Sequence, residues 1–220
     1  MRLIVVLLLG IALPVSAMEV RILPQDESGR DLELQAFEKQ LEAAVDQRNA
    51  AQLMSLVSNE ISVSSKRAGG VKIFEKTWHP ESRNSDLWPT LAQILKLGGG
   101  FLRSERGVKY CAPYTFVDFP SNLDIYGHVI VIQNNVPLKG HPSLNSATIT
   151  NLSYNVLRVE DWRSVADENN EAVRWLKVKT LGGQGGYVEK KDVRSPTDYS
   201  ACFLHEDSTG WKLVSLTSNE

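Results

Sequence analysis

Two cysteines and four histidines carry the sharpest chemistry available to this 220-residue chain, and their surroundings decide what that chemistry can be. A cysteine nucleophile needs a base, usually histidine, held beside a thiol of lowered pKa. Cys111 lies in the apolar run Tyr110-Cys111-Ala112-Pro113-Tyr114, which suits a strand better than a reactive thiol at a helix start. His79, His128, His141 and His205 stand in no catalytic-cysteine motif. A structural role for Cys111 is therefore expected, and no catalytic residue is assigned. No two histidines or cysteines stand at ligand spacing, so no metal is expected. Gly182-Gly183-Gln184-Gly185-Gly186 has the glycine density of a phosphate loop but lacks the Lys-Ser/Thr and helix that would follow it. It reads as a hairpin turn, and no cofactor is expected.

The N-terminus gives the cysteines a compartment. Arg2 is followed by an apolar run from Leu3 to Leu13, then Pro14 and the small-residue site Val15-Ser16-Ala17. This is the pattern of a secretory signal, residues 1–17, cleaved after Ala17. The run falls short of the roughly 20 apolar residues a spanning helix needs. Met18 rather than Cys follows the cut, so no lipid anchor is indicated. The expected location is periplasmic or secreted. In that oxidising setting Cys111 and Cys202 permit a single pairing, a disulfide, with two buried free thiols as the alternative. A formal net charge of -2 on a chain that is 23% charged gives no basic footprint for nucleic acid or an anionic membrane.

Aromatic residues are the remaining ligand candidates. Trp162, beside Asp161 and Arg163 in an acidic stretch from Asp161 to Glu171, reads as an exposed loop anchor or a lid. Trp175 and Tyr187 are kept as binding candidates, although both fit core positions of a β-module. Trp78, His79 and Trp88 either line a pocket or fill it.

The elements that would position these residues change character near residue 120. After an arm at 18–30, Leu32, Leu34, Phe37, Leu41, Ala44 and Val45 recur at helical spacing. Asn49 interrupts, Ala50 to Val57 predicts a second helix, and Ile61 to Ser64 alternates as a strand. Val71 to Trp78 predicts a helix stopped by Pro80. Ser85 or Asp86 caps the next one, which Gly98-Gly99-Gly100 ends. Two short strands around Arg106-Gly107 follow. From 127 to 194 short apolar runs alternate with Gly, Pro, Asn and Ser, the pattern of a small all-β barrel. A last hairpin, Tyr199 to His205 and Trp211 to Leu216, needs a sheet to join. The expected fold is α+β. One discontinuous domain, 31–120 with its closing hairpin 197–220, is interrupted by a β-barrel at 127–194.

The barrel segment resembles the bacterial SH3-like (SH3b) domain. The matching residues are Leu138-Lys139-Gly140-His141-Pro142-Ser143, where that family has V-R-x-x-P-S. They continue through Ser146, Ile149, Leu152, Val156 and Val159 to Trp175-Leu176-Lys177-Val178 and Gly183-Gln184-Gly185-Gly186-Tyr187-Val188. Leu138 and Lys139 replace the usual Val and Arg, and Asn155 stands where a turn glycine is expected. The outer domain resembles the cone-shaped nuclear transport factor 2-like fold, through its order of helices and its closing hairpin. The whole resembles exported bacterial proteins that combine these parts without an assigned activity. The resemblance implies a non-enzymatic cell-envelope protein contacting peptidoglycan, a peptide or another protein. The alternative is a small-molecule binder or hydrolase using the cavity of the α+β domain.

Overall fold

Asp31 and Asn49 begin the first two helices by accepting backbone N–H bonds with their side chains, from Leu34 (2.9 Å) and Gln52 (3.1 Å) respectively. The computed structural model describes residues 19–64, 69–104 and 107–218. The signal-like segment 1–17, Met18 and the turn residue Arg106 lie outside the described residues. Helix α1 spans Leu32–Asp46 and α2 spans Ala50–Leu56. Strand β1, Val57–Ser62, starts directly where α2 ends, four residues earlier than the alternation at 61–64 predicts. Val57 is buried and paired with Leu213, so burial rather than alternation sets the strand's start.

Helices α3, Val71–Trp78, and α4, Leu87–Lys96, follow. At the head of α4 the capping side chain is Ser85 rather than Asp86: its Oγ accepts from Leu87 N–H at 3.1 Å and donates to the Trp78 carbonyl. Strands β2, Gly100–Ser104, and β3, Gly107–Ala112, form a hairpin, and a one-turn helix α5, Tyr114–Val117, follows it. The last hairpin, β11 (Ser200–Glu206) and β12 (Gly210–Thr217), lies between β1 and β3. The resulting five-stranded sheet has the order β1-β12-β11-β3-β2, antiparallel except for β1 on β12. Helices α1 to α4 pack their apolar side chains into one core with this sheet, centred on Phe37, Phe74, Trp88, Tyr110 and Phe203. Cys111 and Cys202 are directly opposed on β3 and β11 and form a disulfide across 91 positions, with Cα atoms 4.1 Å apart. Cys111 is therefore no free nucleophile.

The second sheet is curled and antiparallel, a half-barrel formed by the segment the sequence pattern predicts as a small all-β barrel. Its strands are β4 (His128–Val131), β5 (Val136–Lys139), β6 (Thr148–Leu152), β7 (Val156–Asp167), β8 (Asn170–Thr180), β9 (Gly185–Glu189) and β10 (Val193–Arg194). Their order is β10-β4-β7-β8-β9-β5-β6. The expected acidic loop at Asp161–Glu171 is instead the far end of the long β7–β8 hairpin. Polar residues serve there because both faces of the extension meet solvent, while the backbone ladder still pairs. Buried Asp167 secures the tip by accepting from Leu144 N (2.7 Å), Asn169 N (2.9 Å) and Trp175 Nε1 (3.2 Å). The left-handed residue at the β6–β7 turn is Tyr154, φ 60°, rather than Asn155. Asn155 is buried, bonded to Ser153 N and to Glu19.

Residues 19–30, expected as a polar arm, bind the two sheets together. Ile22 N donates to the Tyr154 carbonyl and Val156 N to the Val20 carbonyl, both at 2.9 Å, while Glu19 accepts from Gly182 N at 2.9 Å. Farther along, Glu27 N donates to the Gly99 carbonyl and Phe101 N to Glu27 Oε2. The glycines permit this approach: a side chain on Gly99 would collide with the Cys111 carbonyl, and Gly98 adopts φ 62° against Gln25 and Asp26. Ile22, Tyr114, Ile130 and Val156 form a small apolar cluster at this junction.

Candidate functional site

Where α4 ends beside the curled sheet, a cleft of about 930 Å³ opens. Four separate segments build it: the end of α4 with Leu97, the stretch from Tyr126 through β4 to Gln133, the β7–β8 face, and the stretch from Lys190 to Asp198. Leu97, Val129, Ile132, Leu176 and Val193 give it an apolar lining. Two outward aromatic rings border it, Tyr126 (60% exposed) and Trp162 (49% exposed). Large aromatic side chains ordinarily bury their area, so two of them open at one cleft mark a contact surface.

Four cations also border the cleft: Lys96, Lys190, Lys191 and Arg194. Lys191 is tied to Glu189 at 2.6 Å. Lys96 and Lys190 form no ion pair among the described residues. Arg194 is the unusual member, because only 9% of it is exposed. Its Nη2 donates to the Tyr199 carbonyl, yet no carboxylate among the described residues forms an ion pair with it. Burial pulls its pKa down from the ordinary arginine value, with Asp198 near enough to offset part of that shift. Asp198 itself is engaged at the turn, where Oδ2 accepts from Ser195 N at 3.0 Å. Neighbouring Asp192, its pKa raised by burial and then by Glu189, accepts from Gln133 Nε2 at 3.0 Å.

Of the candidates read from sequence, the structure brings Trp162 alone to this cleft. Trp162 sits on strand β7, not on a loop. Asp161 turns to Arg163, accepting at 3.0 Å from Nη2, and that hydrogen-bonded pair lowers its pKa. Trp175 is completely buried with its Nε1 on Asp167, so it offers no surface to a ligand. Tyr187 is half-buried on β9, outside the cleft.

Trp78, His79 and Trp88 separate in the same way. Trp88 fills the helix-backed core, donating Nε1 to the Ser82 carbonyl at 2.9 Å. Trp78 and His79 instead border a second cleft, about 610 Å³, with Ser82, Asn84, Asp86 and Tyr199. Tyr199 meets the Trp78 ring edge-on at 4.9 Å between centroids. Of the remaining histidines, His128 is bonded through Nδ1 to the Asp124 carbonyl at 2.7 Å, and His205 through Nε2 to Glu33 at 3.0 Å. Among the described residues no group of three or more His, Cys, Asp or Glu is placed to hold a metal. No described helix is long and apolar enough to cross a membrane.

A separate titratable cluster fastens the arm to the helix-backed sheet. Asp26 Oδ1 accepts from Tyr110 Oη at 2.7 Å and from Ser28 N at 2.9 Å. Burial pushes the Asp26 carboxyl up, but these bonds and the Ser28 side chain outweigh it and hold the carboxyl below its usual range. Glu38 on α1 faces the same group. Burial, aided by the charges of Asp26 and Glu42, pushes its carboxyl up to about 7.

No protein-family model matches the chain, and comparison with curated proteins and with solved structures returns no match. Sequence reasoning missed Arg194, Lys190, Lys96 and Tyr126 as site residues. The available signal was the run Lys190-Lys191-Asp192-Val193-Arg194, three cations in five positions directly after the Tyr187-Val188-Glu189 strand.

Proposed function

We propose that this chain is an exported binding protein rather than an enzyme, and that its ligand lies in the cleft between α4 and the curled sheet. The observation that carries the site is the pairing of two exposed aromatic rings, Trp162 and Tyr126, with Lys96, Lys190 and Arg194, which form no ion pair among the described residues. A pre-formed cleft with an apolar lining and a few polar groups is the usual form of a ligand site, and this volume suits a peptide- or saccharide-sized fragment. The Cys111–Cys202 bond supports export, since such bonds persist in oxidising compartments.

The curled sheet is proposed to be an SH3-like module on the strength of its motif residues from Leu138 to Val188. The helix-backed sheet is proposed to be nuclear transport factor 2-like, on its order of elements. Peptidoglycan is the proposed envelope partner. Co-sedimentation with purified peptidoglycan tests it: the wild type is expected in the pellet and Trp162→Ala in the supernatant. Equal sedimentation of the two would remove the cleft from the interaction, and a wild type left in the supernatant would remove peptidoglycan as the partner.

The second reading, a small-molecule site on the α+β layer, is favoured by the cleft of Trp78, His79 and Tyr199 with its polar Asn84 and Asp86. A metabolite that raises the unfolding temperature of the wild type but not of Tyr199→Ala would support it.

A further inference from the structure

Arg194 is a largely buried cation that also lines the cleft. Burying a guanidinium is costly unless an anion and a full set of hydrogen bonds compensate it. Arg194 is nine-tenths buried, and among the described residues its one hydrogen bond goes to the Tyr199 carbonyl. Several of its five N–H groups are therefore uncommitted among the described residues, beside a cleft that has Leu97, Val129, Ile132, Leu176 and Val193 as its apolar lining and Gln93, Gln133, Ser195, Thr197 and Asp198 among its polar lining. Lys96 and Lys190, which form no ion pair among the described residues, add positive charge at the same opening.

On the cleft reading above, we infer that the segment of the ligand seated in the cleft ends in a single carboxylate on an apolar group, with Arg194 as the residue that receives the carboxylate. The planar fork of a guanidinium matches a carboxylate in two parallel bonds, and the match strengthens where water is excluded. A singly charged head is favoured over a dianionic phosphate because the Asp198 carboxylate stands near Arg194 and would repel the second charge. The apolar lining and the rings of Trp162 and Tyr126 take the body of the ligand.

Two dyes of nearly the same shape test this on the intact folded protein: 8-anilinonaphthalene-1-sulfonate, a monoanion, and the neutral N-phenyl-1-naphthylamine. The anionic dye is expected to bind about tenfold or more tightly than the neutral one, and Arg194→Gln to erase that difference. N-acetyl-leucine should displace the anionic dye, whereas N-acetyl-leucinamide should not, and phenyl phosphate should displace it less well. Displacement by the amide as effective as by the acid, or better displacement by phenyl phosphate, overturns the carboxylate assignment. If both dyes bind equally and Trp162→Ala abolishes both while Arg194→Gln changes neither, the cleft stands and the charge inference falls. If neither dye binds, the cleft reading falls with it. Comparing the dyes on the wild type requires no variant, so a poorly folded Arg194→Gln leaves the test intact.

Discussion

The two sheets of this molecule bury their aromatic residues to different extents: the curled sheet encloses Trp175 but leaves Trp162 outward, whereas the helix-backed sheet packs its rings into one core. The helix-backed sheet turns them inward: Phe37, Phe74, Trp88, Tyr110 and Phe203 interlock, and the disulfide fastens β3 to β11 across one edge of that core. The curled sheet keeps a thin core of aliphatic residues such as Val129, Leu138, Leu157 and Val178, and leaves Trp162 outward. The curled sheet and its connections contribute most of the residues that line the cleft, and α4 contributes Gln93 and Lys96. The cleft forms where the end of α4 meets β10 and the Lys190–Asp198 stretch, so it needs both.

Breaking the staple should produce the largest difference between the regions. Closing a loop of 91 positions is worth about 4–5 kcal/mol in the chain-entropy model. A Cys111→Ala/Cys202→Ala protein should lose stability of that order in denaturant unfolding. Amide exchange should accelerate first on β3 and β11, with β7 and β8 retaining protection. Uniform acceleration would show that the sheets share one cooperative core.

The next effect sharpens the contrast between inward and outward tryptophans. Trp88→Ala removes a ring with 2% exposure and a bond to the Ser82 carbonyl, so it should cost about 3–5 kcal/mol. Trp162→Ala, at a half-exposed site, should stay within about 0.5 kcal/mol of the wild type. A comparable loss at both positions would erase the distinction.

A smaller effect concerns the arm that joins the two. With its folded-state pKa raised to about 7 from the ordinary 4.5, Glu38 binds a proton more readily folded than unfolded. Its contribution is therefore complete below about pH 4.5 and is lost as the pH climbs to 7. Solvent screening at this partly exposed carboxyl should reduce the loss to about 1–2 kcal/mol, visible as the difference between wild type and Glu38→Gln in denaturation midpoints from pH 4 to pH 8. Parallel pH profiles for the two proteins would show that Glu38 titrates normally.

Local chemistry was legible in the sequence, and assembly was less so. The apolar spacing from Leu32 to Val45 and the interruption at Asn49 correspond directly to α1 and α2, because helix periodicity and capping are local. The mixed α+β class and the pairing of Cys111 with Cys202 also follow from pattern and count. The β7–β8 extension was hidden because its residues are polar on both faces, leaving no alternation to read. The arm was hidden because its hydrogen bonds go to Tyr154, Val156, Gly99 and Phe101, partners far away in the chain. The cleft was hidden for the same reason. Trp162 stood out by type alone, whereas Arg194 becomes notable only once folding has buried it with no ion pair among the described residues.

The location of the ligand site is the central claim, and backbone amide shifts measured while soluble peptidoglycan fragments are added test it most directly. The account predicts shifts confined to residues 93–97, 126–133, 162, 176 and 190–198. Shifts centred on residues 77–90 and 199, or spread along the open edge of β6, would contradict it.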